Sequence, residues 1–195
     1  MKQGHFHAVR FYDNEASLCR IVAAFLHEGL VVGHPAVVIA TPEHSQGIVA
    51  ELRAREVDIA AAQASETLLV IDADSMMERF MADGVPNRDR FFAVAHAALD
   101  RASRGKKNCE IRAYGEMVDV LWKQGRDIAA IQLEMLWNQL GRARGFSLLC
   151  GYAMGNFYKD ASVQDVCRQH THTIGSDGTT RVSSADSLLI GALRL

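Results

Sequence analysis

Charged and aromatic side chains gather in residues 112–125, RAYGEMVDVLWKQG, where a predicted strand runs into a predicted helix. Arg112, Tyr114 and Glu116 surround Gly115, whose missing side chain gives the backbone room to bend. Two interpretations fit these residue types. In the first, Arg112 and Glu116 form an ion pair that only fixes the start of the helix. In the second, they line a cavity in which Arg112 and Tyr114 hold a small polar group.

Similar residues follow the other predicted strands. Parallel α/β proteins bind ligands at that edge of the sheet, because helix N-termini present N–H groups there. The candidate ligand-binding residues are Tyr12, Thr41, Arg112, Tyr114, Glu116, Trp122, Trp137 and Tyr152. We expect Arg112 to hold a polar or anionic group and Glu116 to orient it, while the aromatic side chains exclude water. The two tryptophans lie at apolar helical spacing, which is more often typical of a core.

The sequence gives little support for nucleotide chemistry. LLVID, ending at Asp72, resembles the strand that holds magnesium in P-loop enzymes. No GxxxxGK[ST] motif is present, however, and the turn FYDNEAS after the first strand has two acids and neither glycine nor lysine. Backbone cradling of phosphate requires the glycines, and the acids repel phosphate. Asp72 is therefore interpreted as a helix cap.

Other catalytic patterns are also missing from the sequence. No GxSxG turn occurs, and neither Ser17 nor Cys150 has a His/Asp relay nearby in the chain. Asp72 and Asp74 would point to opposite faces of an extended strand, so they do not form an acid/base pair. We therefore expect a protein that is not an enzyme and that needs no cofactor.

Histidines and cysteines give a weak indication of a metal site. His5 and His7 face the same side of the first strand, and Cys167, His170 and His172 form a C-x-x-H-x-H pattern. Zinc binds such donors, but the spacing matches no closed ligand set, and core or solvated histidines explain the pattern more simply. The prediction is that no metal is bound. The four cysteines include no CxxC pair, which favours reduced thiols over disulfides.

The composition predicts one soluble domain. With 195 residues, 49% of them hydrophobic, the chain can bury a single core. The formal net charge is -2 and the basic residues form no stripe, which disfavours direct nucleic-acid binding. The N-terminus lacks the apolar core of a signal peptide, and no apolar segment is long enough to span a bilayer. We expect a cytoplasmic protein that does not contact a membrane.

The order of predicted elements sets the fold class. The predicted strands are residues 7–13, 34–41, 67–73, 108–114 and 146–152, and helical patterns follow the first four and precede the fifth. Strands that alternate with helices predict right-handed crossovers and a mostly parallel sheet, and therefore a three-layer α/β sandwich. A Ser/Thr/Gly-rich segment and the apolar run LLIGALRL predict a linker and a tail over residues 173–195.

Seven sequence segments, taken in order, resemble one known family. They run from HxxRFYDN through LLVIDAD and RAYGEMV to LEMLWNQL and FSLLCGY, and they cover residues 7–172. This order resembles the MEDS domain, the methanogen/methylotroph, dichloromethane-regulator sensory domain. The resemblance implies a RecA-like fold, a degenerate P-loop architecture that lacks the phosphate loop. It also implies a sensory role in which small, often hydrocarbon-like molecules are detected.

The chain departs from its apparent relatives in two ways. No histidine kinase core or DNA-binding helix pair is visible in the sequence, so we expect the signal to pass to a partner such as a histidine kinase or a transcription regulator. Arg55 and Glu56 stand where relatives usually have a glycine before Val57, so that turn is expected to differ. The apolar end of the chain favours a homodimer.

These observations predict a sensory domain over residues 1–172. It binds a small organic ligand at the C-terminal edge of its sheet and shifts between two surface states. The second hypothesis is a degenerate RecA-like interaction or scaffold module without a ligand, whose crevice is filled by its own side chains. The third is a nucleotide- or metal-dependent enzyme.

Overall fold

The computed structural model describes residues 6–104, 106, 109–157 and 160–183 of the chain. Its strands are β1 (His7–Tyr12), β2 (Ala36–Ala40), β3 (Leu68–Asp72), β4 (Met81–Ala82), β5 (Val85–Pro86), β6 (Arg112–Gly115), β7 (Ser147–Ala153), β8 (His172–Ile174) and β9 (Thr180–Val182). Seven of them form one sheet in the order β3-β2-β6-β7-β1-β8-β9. Neighbours pair in parallel except β9, which is antiparallel to β8, and β4 and β5 form a separate hairpin.

Helices cover both faces of this sheet. The helices of the described chain are α1 (Glu15–Leu30), α2 (Pro42–Ala54), α3 (Ile59–Ala64), α4 (Ala73–Glu78), α5 (Arg88–Ser103), α6 (Met117–Lys123), α7 (Asp127–Arg144) and α8 (Asp160–Arg168). One hydrophobic cluster packs α1, α2 and α3 against one face, and a second packs α4 to α7 against the other. The predicted three-layer α/β sandwich with a mostly parallel sheet is therefore confirmed.

The central strands form where the sequence is continuously apolar. Every residue of β2, AVVIA, is buried, because helices lie on both sides of it. Burial on both faces removes the polar alternation that an exposed strand would need. The parallel pairing of β2 with β6 and of β1 with β7 brings their C-terminal ends to one edge and their N-terminal ends to the other.

Polar side chains start several helices. Asn14 caps α1, Asp58 caps α3, Asp72 caps α4 and Asn87 caps α5, each by accepting a backbone N–H three residues further on. The cap interpretation of Asp72 is therefore confirmed. Thr41 precedes α2, and its side chain makes no capping hydrogen bond. Pro42 fixes that helix start instead.

The sequence patterns did not predict the helix α3, the hairpin of β4 and β5, or the edge strands β8 and β9. The short helix α3 and the β4-β5 hairpin lack a long periodic pattern. The Ser/Thr/Gly-rich segment after residue 172, predicted as a linker, contributes β8 and β9 to the sheet. Its sequence contains too few apolar residues for this to be visible, because an edge position buries little of each side chain. The apolar run LLIGALRL lies outside the described residues.

Candidate functional site

The carboxylate of Glu116 is the centre of a buried network at the C-terminal edge of the sheet. Oε1 accepts the backbone N–H of Thr41 at 2.5 Å, and Oε2 accepts from Nδ1 of His44 at 2.6 Å and from the hydroxyl of Tyr114 at 2.9 Å. Burial would raise the pKa of Glu116, but the hydrogen bond and charge of His44, together with the amide of Thr41, lower it. The ionised carboxylate thus has its acceptors occupied by the protein.

Asp119, in the first turn of α6, is the centre of a second network at this edge. Oδ2 accepts the hydroxyl of Tyr12 at 3.0 Å and lies 3.0 Å from Nζ of Lys123. Oδ1 accepts the backbone N–H of Ala153 and the side-chain amide of Asn156. Burial and the neighbouring carboxylate of Asp119 raise the pKa of Tyr12, so its phenol stays protonated. The polar groups of the candidate residues Tyr12, Tyr114 and Glu116 at this edge are therefore bound by neighbouring groups of the protein.

Arg112 does not lie at the C-terminal edge. It is the first residue of β6, and four residues of extended chain, about 13 Å, separate it from Glu116. Its Nη1 donates to the carbonyl of Phe25 at 2.8 Å and to Oε2 of Glu28 at 2.7 Å. The predicted ion pair between Arg112 and Glu116 is wrong, because the two side chains lie at opposite ends of one strand.

The aromatic candidates do not form one cage. Tyr152 is fully buried, and its hydroxyl donates to Oε1 of Glu134 at 2.9 Å. Trp122 is half-buried and packs edge-on against Tyr152, with ring centroids 5.9 Å apart. Trp137 is buried in the core, with its ring centroid 4.9 Å from that of Phe91. Trp137 is thus a buried member of the hydrophobic cluster on the α4 to α7 face, and Trp122 packs against the same cluster while partly exposed.

A cavity of about 930 Å³ opens at the N-terminal edge of the sheet, between α1 and the turn that joins β8 to β9. Its lining includes Phe6, Phe25, Glu28, Arg112, His172 and Asp177. Three of these rings form one wall: Phe6 stacks on Phe25 at 6.0 Å and on His172 at 4.7 Å between centroids. The cavity thus combines an aromatic wall with charged groups of both signs.

Arg112 presents hydrogen-bond donors to this cavity. Its guanidinium carbon lies 5.0 Å from the ring centroid of Phe25, within the range of a cation–π contact. Both of its side-chain hydrogen bonds use Nη1, and in the described part of the chain Nη2 has no acceptor. The side chain is 25% exposed. Arg112 was predicted to bind a ligand at the other edge of the sheet, and Phe6 and Phe25, which line this cavity, were not among the predicted residues.

The turn between β1 and α1 is short, and a side chain within it caps the helix. Two residues, Asp13 and Asn14, connect the strand to the helix. Oδ1 of Asn14 accepts the backbone N–H of Ser17 at 2.8 Å. The N-terminus of α1 corresponds to the helix end that binds phosphate in P-loop proteins. Here it is capped by the side chain of Asn14 and preceded by the acidic residue Asp13.

The histidines contact residues from distant parts of the chain. The ring of His172 stacks on Phe6, away from the ring of His170, whose Nε2 lies 3.4 Å from Oε1 of Glu134. The predicted C-x-x-H-x-H grouping is therefore not formed, because its members are on different faces of the structure. His5 lies outside the described residues.

Cys150 has neighbours that the sequence did not reveal. Its Sγ lies 3.3 Å from Nε2 of His7 and 3.7 Å from Oε2 of Glu134. Both partners are fully buried, so the thiol has no exposed face for a substrate. A signal for this cluster does exist in the sequence: His7 interrupts an apolar strand, and Glu134 interrupts the apolar stripe of α7.

The fold and these sites define a RecA-like α/β domain in which the nucleotide cradle is replaced by a capped helix start. The chain belongs to the MEDS family, described as MEthanogen/methylotroph, DcmR Sensory domain, which matches residues 6–171. It is thus a member of a family of sensory domains. No curated protein matches the chain.

Two solved structures share the fold. A KaiC-like protein of the hyperthermophilic archaeon Pyrococcus horikoshii OT3 is 12% identical with a TM-score of 0.60, and the match covers 85% of this chain and 70% of that one. An uncharacterized protein of Pyrococcus horikoshii, solved in complex with an unknown peptide, is 10% identical with a TM-score of 0.64, and the match covers 93% and 84%. No helix in the described residues has the length and hydropathy of a membrane span.

Proposed function

We propose that this chain is a non-catalytic sensory domain that binds a small organic molecule in the cavity beside Arg112 and passes the signal to a regulatory protein. Membership of the MEDS family supports the sensory role. The observation that carries the choice of site is Arg112 itself, which lines the cavity beside the ring of Phe25 and whose two side-chain hydrogen bonds in the described residues both use Nη1. This site replaces the one expected at the C-terminal edge.

The chemistry of the cavity favours a ligand with a polar or anionic head and an apolar body. Nη2 of Arg112 donates hydrogen bonds to the head. The rest of the lining has charges of both signs, from Arg20, Arg55, Glu28, Glu110 and Asp177. Phe6 and Phe25 supply apolar surface for the body. A volume of about 930 Å³ exceeds the need of a very small molecule, so water or a larger ligand shares the space.

The turn between β8 and β9 and the edge strand β9 could transmit ligand binding to a partner. Ser176, Asp177 and Gly178, in the turn between β8 and β9, line the cavity. A ligand in the cavity therefore contacts the segment that leads into β9, whose residues Thr180–Val182 are exposed. Exposed edge strands are surfaces on which partner chains pair. A histidine kinase or a transcription regulator is the kind of partner that such a sensor addresses.

A thermal-shift screen tests this function. Short-chain carboxylates, alcohols, amines and halogenated alkanes are each titrated against the protein, since a ligand that binds the folded state raises its melting temperature. At least one of these classes should stabilise the wild type. Arg112→Ala should abolish the shift, and Ala24→Leu, which fills the cavity without removing Arg112, should reduce it.

The matched control is Arg90→Ala, which removes an exposed arginine on α5 far from the cavity and should respond like the wild type. Near-ultraviolet circular dichroism verifies that each variant keeps its tertiary packing. Equal shifts in the wild type, Arg112→Ala and Ala24→Leu would remove the cavity as the ligand site. No shift with any class would remove the small-molecule function.

A scaffold module without a small ligand is the second candidate function. The observation that favours it is the network of Glu116 and Asp119, which fills the C-terminal edge with the protein's own side chains. One structural neighbour was solved with an unknown peptide, so a peptide is a second type of occupant. Capture of a peptide from a random library, lost in the cavity-filling variant Ala24→Leu, would support the scaffold over the small-molecule sensor.

A further inference from the structure

Four metal-ligating side chains from four separate segments meet on the α7 face of the sheet. His7 begins β1, Cys150 lies in β7, Glu134 lies in α7, and His170 lies between α8 and β8. One ligand atom from each lies within 4.8 Å of all the others. The side chains of both histidines and of Glu134 are completely buried, as is Cys150. The cavity beside α1 lies on the other face of the sheet.

The separations among His7, Cys150 and Oε2 of Glu134 are those of ligands in a tetrahedral zinc site, and His170 approaches the other carboxylate oxygen, Oε1. Nε2 of His7 lies 3.3 Å from Sγ of Cys150 and 3.3 Å from Oε2 of Glu134, and that oxygen lies 3.7 Å from the same sulfur. Nε2 of His170 lies 3.4 Å from Oε1 of Glu134. Tetrahedral bonds of about 2.0–2.3 Å from zinc to nitrogen, oxygen and sulfur place the ligand atoms about 3.3–3.8 Å apart.

Outer hydrogen bonds orient both imidazole rings. The amide nitrogen of Asn138 donates to the carbonyl of Gln169 at 2.7 Å, which directs its oxygen to Nδ1 of His7 at 3.0 Å. Nδ1 of His170 donates to the carbonyl of Val166 at 2.8 Å. With Nδ1 as the donor in both hydrogen bonds, Nε2 is the atom of each ring that is directed at the cluster. This is the arrangement by which proteins fix metal-binding histidines.

The cluster brings several acceptor atoms together in a buried space. Nε2 of both histidines converges on the carboxylate of Glu134, with the hydroxyl of Tyr152 at 2.9 Å from Oε1 and the thiol of Cys150 beside Oε2. Nε2 of His170 makes no hydrogen bond of acceptable geometry. Buried lone pairs that face one another repel unless a cation lies between them.

We propose that His7, Glu134, Cys150 and His170 form a structural site for one zinc ion. The charge balance supports zinc, since a divalent ion, a thiolate and a carboxylate with two neutral imidazoles carry no net charge in a buried space. Binding displaces the proton from Cys150 and any proton that balances Glu134. Four protein ligands leave no open position for a substrate, so the ion joins β1 and β7 to α7 and to the segment before β8.

Metal analysis of the purified protein is the first test. The protein is produced with zinc in the medium, dialysed against metal-free buffer, and its metal content is measured by mass spectrometry. We expect one zinc ion per chain. Cobalt substituted for zinc should give the intense visible bands of tetrahedral cobalt and a sulfur-to-cobalt charge-transfer band. A folded wild type that binds neither zinc nor cobalt would overturn the proposal and identify the cluster as a proton-balanced network.

Single substitutions test which residues are ligands of the zinc ion. Cys150→Ser should abolish the charge-transfer band and weaken zinc binding by about ten-fold or more. Glu134→Gln should weaken it similarly. The matched control is Cys167→Ser, which changes a buried cysteine that is not a member of the cluster and should keep full metal content. If the two ligand variants fail to fold, zinc removal from the wild type by a chelator should lower its melting temperature, and readdition should restore it. A retained charge-transfer band in Cys150→Ser would overturn the assignment, as would a melting temperature that is unchanged by the chelator.

Discussion

Nδ1 of His44 lies 2.6 Å from Oε2 of Glu116 and connects the start of α2 to the end of β6. Both side chains are nearly inaccessible, with exposures of 6% and 2%. The same carboxylate was expected to pair with Arg112, which instead lies at the far end of β6. The polar partner of Glu116 therefore comes from a neighbouring strand and helix, and this pair gives the protein a pH dependence.

We predict that the stabilising effect of His44 declines in alkali. The hydrogen bond with Glu116 raises the pKa of His44 above 6.5 in the folded state, so its contribution is complete below pH 6.5 and is lost as the pH rises through the folded value. The pKa of Glu116 is lowered from 4.5, so its contribution is present above pH 4.5 and lost in stronger acid. The His44–Glu116 pair therefore stabilises the fold most between about pH 4.5 and pH 6.5.

Urea denaturation of the wild type and His44→Gln measures this effect. The variant should lose about 1–3 kcal/mol of unfolding free energy near pH 5.5 and clearly less near pH 8.5. His27→Gln is the control, because the side chain of His27 makes no hydrogen bond among the described residues. A difference between the wild type and His44→Gln that stays constant over this range would contradict the prediction.

Gly151 lies in β7, beside β6, and Gly151→Ala should disrupt the hydrogen bonds of Glu116. A Cβ at position 151 would lie 2.7 Å from the hydroxyl oxygen of Tyr114, so the hydroxyl must leave Oε2 of Glu116. We expect a loss of about 2–3 kcal/mol of unfolding free energy from overpacking and the lost hydrogen bond. Gly155→Ala, where a Cβ meets no atom within 4 Å, should change stability by less than about 0.5 kcal/mol. Equal stability of the two variants in urea would refute this account.

Glu56→Gly should stabilise the protein. Glu56 has a φ of 64° just after α2, where its N–H donates to Arg53 and the N–H of Val57 donates to Leu52. Glycine is preferred at this position of a helix end. Relief of about 1–2 kcal/mol of left-handed strain exceeds the entropic cost of glycine, about 0.4–1 kcal/mol, so unfolding free energy should rise by about 0.5–1 kcal/mol. Ala50→Gly, inside α2, should lower it by about 1 kcal/mol; a loss in both variants would contradict the prediction.

The two tryptophans should differ in their effect on stability. Trp137→Ala should cost about 3–5 kcal/mol, because the ring is buried against Phe91 and Phe146. Trp122→Ala should cost roughly 1–2 kcal/mol, since that ring is only half-buried. Chemical denaturation followed by circular dichroism measures both values. Similar costs would show that the two rings do not occupy the different environments described.

The local patterns of the sequence were sufficient for the main elements of the fold. The strands around residues 7–12, 36–40 and 68–72 were predicted to within two residues, because burial on both faces requires a continuous apolar run. The sequence also lacks a glycine-rich turn after the first strand, and in the structure Asn14 caps α1 at that position. Elements with short or polar sequences, such as α3 and β9, left no comparable pattern.

The sites depend on distances that the sequence does not contain. His44 and Glu116 are 72 residues apart in the chain, and His7 and Cys150 are 143 apart. Their contact depends on which strands are neighbours and in which register, and a shift of one residue would turn every side chain to the other face. For the same reason the sequence placed Arg112 at the C-terminal edge, whereas it begins β6 at the N-terminal edge.

By itself, the sequence determined the fold class, the family and the loss of the phosphate loop, because these follow from local periodicity and from motifs of adjacent residues. Only the tertiary structure decided which polar groups meet. It paired Glu116 with His44, directed Arg112 into the cavity beside Phe25, and gathered a buried cluster of four ligands around Glu134. The physical reason is that such contacts are fixed by strand order and helix packing across the whole chain, where burial makes each unpaired charge costly.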